Sequence, residues 1–292
     1  MYYCIVNPVA GRGEARDIVP LIETFMLENN LDFTIKITSA EFEAVEFAKE
    51  AVACKSEAIL GVGGDGTLQE IVTGMLATGD SCQVPLSIIP CGSGDDFTRT
   101  VFKKSHKTID SLQALLSGRV KHIDAIRAND LVCLNIANIG LDAQIVYNAQ
   151  GLKKKFVQNA YLIAATISIF RHKNIDLEVF ADDTKISGKF TLAAVCNARY
   201  YGGGFEIAPM AKIDDGSITL CLVDAMPGIK ALFLFPIIML KRHTNLKVVR
   251  YIDCSQVSLK IYNTQTFSID GNLYQYDKIN FKILPKAIQI FV

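Results

Sequence analysis

The sequence contains no tryptophan and has no excess of charge of either sign, because 30 Lys and Arg residues balance 30 Asp and Glu residues. This balance excludes the strongly basic footprint that is typical of nucleic-acid-binding proteins, so no nucleic acid partner is expected. Half of the residues are hydrophobic, which excludes intrinsic disorder. The 292 residues suffice for one large domain or two medium ones, each with a buried core.

No apolar run in the sequence is long enough to cross a membrane. The longest uncharged stretch, residues 156–170, has 15 residues, and the most apolar run, residues 231–240, has ten, whereas a membrane-spanning helix needs about 20. The N-terminal MYYCIVNP lacks the basic and then apolar pattern of a secretory signal. The eight cysteines are scattered without a CxxC pair, which favours buried reduced thiols over a zinc site or a disulfide framework. We therefore expect a cytoplasmic protein.

Residues 1–123 alternate strand-like and helix-like patterns. Buried strands are predicted at 2–6, 33–37, 58–62 and 86–89, and apolar residues recur at helical spacing after the first three of them. Such repeated βα units predict an α/β N-terminal domain, in which helices cover both faces of a parallel sheet.

Residues 124–283 consist mainly of short β-rich segments, and many of these alternate apolar and polar residues. This alternation predicts a C-terminal antiparallel β-sandwich domain. Helical patterns interrupt it near 152–170 and 229–240. The sequence leaves open whether the last residues, about 284–292, pack back on the first domain. The predicted strands are 131–138, 175–181, 190–196, 218–223, 246–251, 257–261, 266–269 and 279–283.

Three glycine-rich loops follow predicted strands of the first domain, at residues 7–13, 63–70 and 90–97. Ligands of α/β folds bind at the carboxyl ends of parallel strands, so the three loops are expected to meet in one crevice. Glycine lets backbone N–H groups approach phosphates, and Asp65 in such a loop implies a cation such as Mg²⁺. The GxGxxG pattern at 61–66 follows the third strand and has no acidic partner about 20 residues on, which disfavours an NAD-dependent dehydrogenase.

No Walker motif and no protein-kinase signature is present. Instead, an ordered set of segments resembles the diacylglycerol kinase catalytic family, in particular its soluble bacterial lipid kinases. The matching segments are NPVAG at 7–11, GGDGTLQE at 63–70, PCGSGDDF at 90–97, Asp124, GLDA at 140–143, YGGGFEIAPMAKIDDG at 201–216 and IDG at 269–271. The resemblance implies an α/β domain of the phosphofructokinase and NAD-kinase type, a β-sandwich domain, and a nucleotide crevice between them.

The resemblance also implies roles for single residues. Asp65, Asp96 and Asp124 are expected to organise a catalytic Mg²⁺ and its waters, and Asp270 is expected to act as general base. The Lys212 carbonyl, the Asp215 carboxylate and the Ser217 carbonyl are expected to hold a second, structural Mg²⁺. The residues expected to line the ATP site are Asn7, Pro8, Val9, Ala10, Gly11, Thr38, Gly63, Gly64, Asp65, Gly66, Thr67, Leu68, Gln69 and Ser93.

Arg12 is a candidate cation for the nucleotide phosphates or an anionic headgroup, and a solvated loop arginine is the alternative interpretation. Lys153, Lys154 and Lys155 are candidates for contact with anionic lipid headgroups, although they also fit a solvated helix start. The apolar run at 231–240 fits either an acyl-chain pocket or an ordinary core element.

Four positions depart from the usual pattern of the family. Asp95 and Gln69 stand where Asn is common, and Ser93 replaces Thr while keeping the hydroxyl. Asn272 stands where Glu is usual, and an amide is no base. Asp270 then carries proton abstraction alone, or activity is reduced.

The leading hypothesis is an ATP-dependent, Mg²⁺-requiring kinase that phosphorylates a membrane lipid hydroxyl, with diacylglycerol as the first acceptor to consider. Such an enzyme would contact the inner face of the membrane peripherally. Phosphatidylglycerol, a sphingoid base and an undecaprenol-like alcohol remain alternative acceptors. A kinase of a soluble substrate such as NAD and a non-catalytic nucleotide- or lipid-binding regulator are the competing functions. The sequence leaves a homodimer open.

Overall fold

The structure, a computed structural model, describes residues 1–92, 94–102, 106–141, 143, 173–227, 230, 237–238 and 240–292. Side chains are described for all of these except 263 and 264. The predicted helix at 152–170 with Lys153, Lys154 and Lys155 lies outside the described residues, as do Ser93 and most of 229–240.

The N-terminal half contains a parallel sheet in the order β4-β3-β1-β2, and each strand has the position that its apolar run predicts to within one residue. The α/β fold is therefore confirmed for this half. The strands are β1 (Tyr2–Val6), β2 (Phe33–Ile37), β3 (Ala58–Gly63) and β4 (Leu86–Pro90). The helices are α1 (Glu14–Glu28), α2 (Glu43–Ala53), α3 (Asp65–Met75), α4 (Asp96–Phe102) and α5 (Thr108–Ser117).

Helices cover both faces of this sheet because its central strands point apolar side chains alternately to either side. On β1, Tyr3 and Ile5 join the core under α2 and α3, whereas Cys4 and Val6 join the core under α1 and α5. Helices α2 and α3 pack closely at Gly74, where an added Cβ would lie 2.2 Å from the Val45 carbonyl oxygen. This packing fixes α3, the helix that begins with Asp65.

The C-terminal half is mainly antiparallel, as predicted. Strands β7 and β8 both pair with β9 and with β14, and they occupy consecutive stretches between these two strands. The strands are β5 (Val120–Ala128), β6 (Leu131–Cys133), β7 (Ile136–Gly140), β8 (Ile175–Ala181), β9 (Thr184–Cys196), β10 (Tyr200–Tyr201), β11 (Phe205–Glu206), β12 (Ile218–Asp224), β13 (Val249–Cys254), β14 (Gln256–Ile269) and β15 (Asn272–Phe291).

The two halves share one hydrogen-bonded sheet through the end of β15. Ile290 pairs in parallel with Leu86 of β4, while the same end of β15 pairs antiparallel with β5. Ile288 and Ile290 are fully buried in the core that contains Tyr3. The C-terminal segment therefore packs on the α/β half. Among the described residues, no helix combines the length and apolarity needed to span a membrane.

Candidate active site

The three glycine-rich loops meet at the carboxyl ends of β1, β3 and β4. Asn7 Nδ2 donates a hydrogen bond to Thr67 Oγ1 at 2.9 Å, which ties the first loop to the start of α3. An added Cβ on Gly64 would lie 3.1 Å from Gly92 Cα, so the second and third loops touch through their backbones. Gly11 packs more closely still, since its Cβ would lie 2.6 Å from the Cys91 carbonyl oxygen, a distance that admits no side chain without a backbone shift. The structure therefore brings the three predicted loops together at one edge of the sheet.

The first loop presents backbone and a cationic side chain to solvent. Gly11, Arg12 and Gly13 all have positive φ, at 60°, 63° and 101°. Arg12 is exposed, and Val9 is 75% exposed. Asn7 Oδ1 accepts a hydrogen bond from the Val9 N–H at 3.3 Å, which shapes the turn. The loop can therefore receive a ligand from the solvent side.

Asp65 joins the second loop to the third. Its carboxylate accepts hydrogen bonds from the N–H groups of Asp96, at 3.1 Å, and Phe97, at 3.0 Å. These donors belong to the first turn of α4, where a negative charge is stabilised by the helix dipole. Burial nevertheless raises the pKa of Asp65 above its ordinary value. A carboxylate at the start of α3 is thus fixed against α4.

Asp96 reaches from the α/β half to the β-rich half. Its Oδ2 accepts a hydrogen bond from the Gly203 N–H at 2.8 Å. Its Oδ1 is buried and has no hydrogen-bond partner among the described residues, with Arg99 Nε 3.9 Å away. Burial and the nearby Asp65 charge raise the pKa of Asp96 to about 7. Buried polar atoms are nearly always satisfied, so this oxygen marks a place for a ligand, a water or a cation.

Asp95 faces its own loop instead. It has a positive φ of 48°, and its Oδ1 accepts a hydrogen bond from the Gly92 N–H at 2.8 Å. Burial and the Asp65 charge raise its pKa to about 6. Its carboxylate therefore shapes the loop that precedes Asp96.

Asp270 is a buried carboxylate that accepts four hydrogen bonds. It lies in the β14–β15 hairpin with a positive φ of 48°. Its Oδ2 accepts a hydrogen bond from the Leu134 N–H at 2.6 Å, and its Oδ1 accepts from the Asn135 and Ile136 N–H groups at 3.0 and 2.9 Å. The Cys133 thiol also donates to Oδ1, at 3.3 Å. Burial outweighs these donors and raises the pKa of Asp270 to about 7.

The carboxylates of Asp65, Asp95, Asp96 and Asp270 form one group in which negative charge accumulates, since the Asp65 charge raises the pKa of the other three. Arg99 is the cation that lowers the pKa of Asp65, Asp95 and Asp96. Its Nη2 donates to the Gly94 carbonyl at 3.3 Å. Arg99 was not among the residues predicted for the site, although its position three residues after Asp96 on the same helix was a usable signal.

The donor set fits Mg²⁺ held partly through water. The atoms on offer are hard carboxylate oxygens, and Asp96 Oδ1 is buried without a partner. In the part of the chain that the structure describes, no three His, Cys, Asp or Glu side chains converge as metal ligands. Mg²⁺ usually binds one or two carboxylates and keeps several waters or substrate phosphates, so this arrangement suits it.

The carboxylate of Asp124 makes its hydrogen bonds with other segments than Asp65 and Asp96 do. Its Oδ2 accepts a hydrogen bond from the Gly216 N–H and its Oδ1 from the Lys286 N–H, both at 2.7 Å. The structure thus brings Asp124 to the segment 212–217, where its charge contributes to the raised pKa of Asp215. The Asp215 carboxylate accepts from the Ser217 N–H at 3.1 Å. The metal roles of Asp124, Lys212, Asp215 and Ser217 stay predictions.

Two hydrogen bonds to its buried carboxylate make Asp124 a structural anchor, which can be tested. Asp124→Ala removes both of these hydrogen bonds to a charged group, and each such loss costs about 1–3 kcal/mol. We expect the free energy of unfolding in urea to fall by about 2–4 kcal/mol. Asp214→Ala is the matched control, because Asp214 makes an exposed ion pair with Lys121 and should change stability by less than about 1 kcal/mol. Equal effects of the two variants would contradict the anchor role.

A cavity of about 150 Å³ adjoins the carboxylates on the side of the β-rich half. It shares Gly203, the residue whose N–H holds Asp96, and Gly204, which lies against the Arg99 guanidinium. Glu206 is 6% exposed and forms an ion pair with Lys241 at 2.5 Å. The lining residues are Gly203, Gly204, Phe205, Glu206, Ile238 and Lys241. The site therefore continues into a small cavity that contains this ion pair and is lined in part by the matching segment at 201–216 and by Ile238 of the apolar run at 231–240.

Comparison with known proteins agrees with this geometry. The family model "Diacylglycerol kinase catalytic domain" matches residues 1–128, and the model "YegS C-terminal NAD kinase beta sandwich-like domain" matches residues 135–292. A "Diacylglycerol kinase" of Staphylococcus epidermidis is 25% identical over 292 residues, covering 98% of this chain and 90% of the relative. A "Probable lipid kinase YegS-like" of Shewanella frigidimarina is also 25% identical, over 87% of this chain and 82% of its own length.

A solved structure shares the whole fold. The crystal structure described as that of a diacylglycerol kinase from Bacillus anthracis matches with a TM-score of 0.80 at 23% identity, covering 99% of this chain and 96% of that one. Together the two family models span nearly the entire chain. The chain therefore belongs to the diacylglycerol kinase catalytic-domain family with a YegS-type C-terminal domain, a family of lipid kinases.

Proposed function

We propose that this protein transfers the γ-phosphate of ATP to the hydroxyl of a membrane lipid, with diacylglycerol as acceptor and phosphatidic acid as product. The buried Oδ1 of Asp96, which has no hydrogen-bond partner in the described part of the chain, carries this proposal, because it lies among carboxylates where three phosphate-compatible loops meet. Phosphoryl transfer is catalysed mainly by positioning and charge neutralisation. The loops would position the phosphates, and the carboxylates would hold the cation that neutralises their charge.

The nucleotide would lie along the three loops. Backbone N–H groups of the glycine-rich turns at 7–13 and 63–66 can donate to phosphate oxygens, as in other phosphate-binding nests. Thr38 follows β2, and its N–H donates to the Val6 carbonyl at 2.9 Å, which places it beside the first loop. Arg12 is exposed at the loop tip and Arg99 lies beside Asp96. These two cations are suited to the triphosphate.

Mg²⁺ would be held by Asp96 and, through water, by Asp65, and would neutralise charge that develops on the phosphate oxygens. Asp96 keeps one oxygen on the Gly203 N–H and leaves the other for this purpose. The same hydrogen bond holds the β-rich half against α4. Asp96 would thus also orient the side of the crevice that faces the lipid.

Asp270 would take the proton from the acceptor hydroxyl as that oxygen bonds to phosphorus and ADP leaves. Its Oδ2 accepts one hydrogen bond, from Leu134, whereas its Oδ1 accepts three. A carboxylate oxygen has two lone pairs, so Oδ2 retains a site for the hydroxyl proton. A pKa of about 7 suits a general base near neutral pH.

The direct test is transfer of radiolabelled phosphate from ATP to lipid in mixed micelles containing diacylglycerol, phosphatidylglycerol or a sphingoid base. We expect label in the lipid phase, loss of transfer with a chelator, and recovery with Mg²⁺. A parallel lipid-free reaction contains NAD. Label in NAD alone would replace the proposal with a soluble-substrate kinase, and ATP binding without transfer to any acceptor would remove the enzymatic proposal.

The variant Asn272→Glu separates an active kinase from a non-catalytic regulator. The side chain of Asn272 is part-buried beside the site, so a glutamate there would add a carboxylate near Asp270. An active parent whose rate does not rise in the variant supports Asp270 as the sole base. Activity that appears only in the variant would identify the natural protein as a nucleotide- or lipid-binding regulator.

A further inference from the structure

A pair of amide side chains joins the hairpin that carries Asp270 to the helix that begins with Asp65. Asn272 Nδ2 donates to Gln69 Oε1 at 3.0 Å and to the Gly66 carbonyl at 3.3 Å. The Tyr274 hydroxyl donates to the same Gln69 oxygen at 3.2 Å. Gln69 is 1% exposed, so its oxygen depends on these two donors rather than on bulk water.

The same helix also holds the other side of the Asp270 pocket. Gln69 Nε2 donates to Thr73 Oγ1 at 3.3 Å, and Thr73 Oγ1 accepts from the Val132 N–H at 3.1 Å. Val132 belongs to β6, which leads into the N–H groups of 134–136 that bind the Asp270 carboxylate. Helix α3 therefore contacts both segments that position Asp270: the hairpin that carries it and strand β6, which precedes its N–H donors.

The Asn272 side chain lies directly against the first turn of α3. An added Cβ on Gly66 would lie 2.7 Å from Asn272 Oδ1, so this side chain fills the space between the hairpin and the helix. The separation of hairpin and helix is then set by the combined length of the Gln69 and Asn272 side chains. The rate of phosphoryl transfer is sensitive to this separation, because a displacement of about 1 Å can lower a rate about a hundredfold.

We propose that Gln69 and Asn272 act as one positioning unit that sets the distance between the Asp65 and Asp270 carboxylates in phosphoryl transfer. The inference rests on the proposed kinase function. It assigns Asn272 a task that needs an amide donor and a fixed length, and no basicity. Neither residue touches the reacting atoms in this role.

The test is an exchange of side-chain lengths between the two positions. Gln69→Asn removes one methylene group from the contact and Asn272→Gln adds one, whereas the double variant Gln69→Asn/Asn272→Gln restores the total and keeps both amides. We expect each single variant to lower kcat about 10- to 100-fold with little change in the KM for ATP or lipid. The double variant is expected to recover to within about threefold of the parent.

The chain offers a matched control in another glutamine pair. Gln289 Nε2 donates to Gln83 Oε1 at 3.3 Å on the exposed surface, so Gln289→Asn shortens an equivalent contact without reaching the site and should leave kcat unchanged. Single variants with parental kcat, or a double variant whose loss is the product of the two single losses, would overturn the positioning unit. A parent that transfers phosphate to no acceptor removes the proposed function and this inference together, a result that differs from an active parent with independent single effects.

Discussion

Asp96→Asn is expected to lower phosphate transfer about 100- to 1,000-fold while leaving the protein folded and at least as stable as the parent. The amide oxygen can keep the hydrogen bond from Gly203, and the amide nitrogen takes the place of the partnerless Oδ1. The substitution removes a buried negative charge from a group that already contains Asp65. Sites that store unfavourable charge for catalysis commonly gain stability when that charge is removed.

Two measurements check this prediction. Urea unfolding without Mg²⁺ gives the free energy of unfolding of parent and variant, and the mixed-micelle assay gives the transfer rate. Mg²⁺ should raise the melting temperature of the parent more than that of the variant, because ligand binding to the native state adds stability.

Asp95→Asn is the matched control, with the same chemical change one residue earlier. Asp95 bonds Gly92 of its own loop, and asparagine tolerates its positive φ. We expect this variant to retain activity within about tenfold. If Asp96→Asn keeps parental activity, or if both variants lose it equally, the assigned role of Asp96 is wrong.

The parallel strands could be predicted from sequence because three of the four, β1, β3 and β4, are buried on both faces and the edge strand β2 is a short, mainly apolar run. Such strands are short apolar runs between turn residues, and 2–6 and 33–37 were predicted with the bounds that the structure gives to β1 and β2. The long antiparallel strands could not be predicted in this way. β15 continues to Phe291 beyond Pro285, a residue that usually ends a strand. Its register with β5 shifts between Leu284 and Ile288, so an irregularity absorbs the proline.

Some features of the site could be identified from local sequence, whereas others depend on contacts between residues that are far apart in the chain. Asp65 and Asp96 stand in glycine-rich loops whose composition indicates phosphate chemistry, so local sequence identified them. The N–H groups that hold Asp270 come from Leu134 to Ile136, more than 130 residues earlier in the chain. Backbone donors leave no side-chain signature, because every residue except proline has one. The contact between Gln69 and Asn272 was invisible for a related reason, since it depends on register between a helix and a distant hairpin.

Asp270→Ala is expected to destabilise the protein far more than any other single change at the site. The three N–H groups of Leu134, Asn135 and Ile136 would lose their acceptor in a buried position, and each buried donor left unsatisfied costs about 1–3 kcal/mol. A typical domain has only about 5–15 kcal/mol of stability in total. We expect the urea midpoint to fall strongly while the slope of the transition stays the same, since the exposed surface does not change.

Asp270→Asn should fall between parent and alanine variant, because the amide oxygen can still accept while the amide nitrogen faces a backbone donor. Asp130→Ala on the exposed β5–β6 turn is the control and should change stability by less than about 0.5 kcal/mol.

If Asp270→Ala stays within 1 kcal/mol of the parent, the three donors are satisfied by water and the carboxylate is free to serve catalysis alone. A large loss instead means that the base and the anchor of the hairpin are one residue, so inactivity of Asp270 variants is evidence for proton abstraction only where the variant remains folded under assay conditions. Asp96→Asn is then the more informative variant for catalysis. It is expected to lose activity without losing stability, whereas Asp270 variants are expected to lose both.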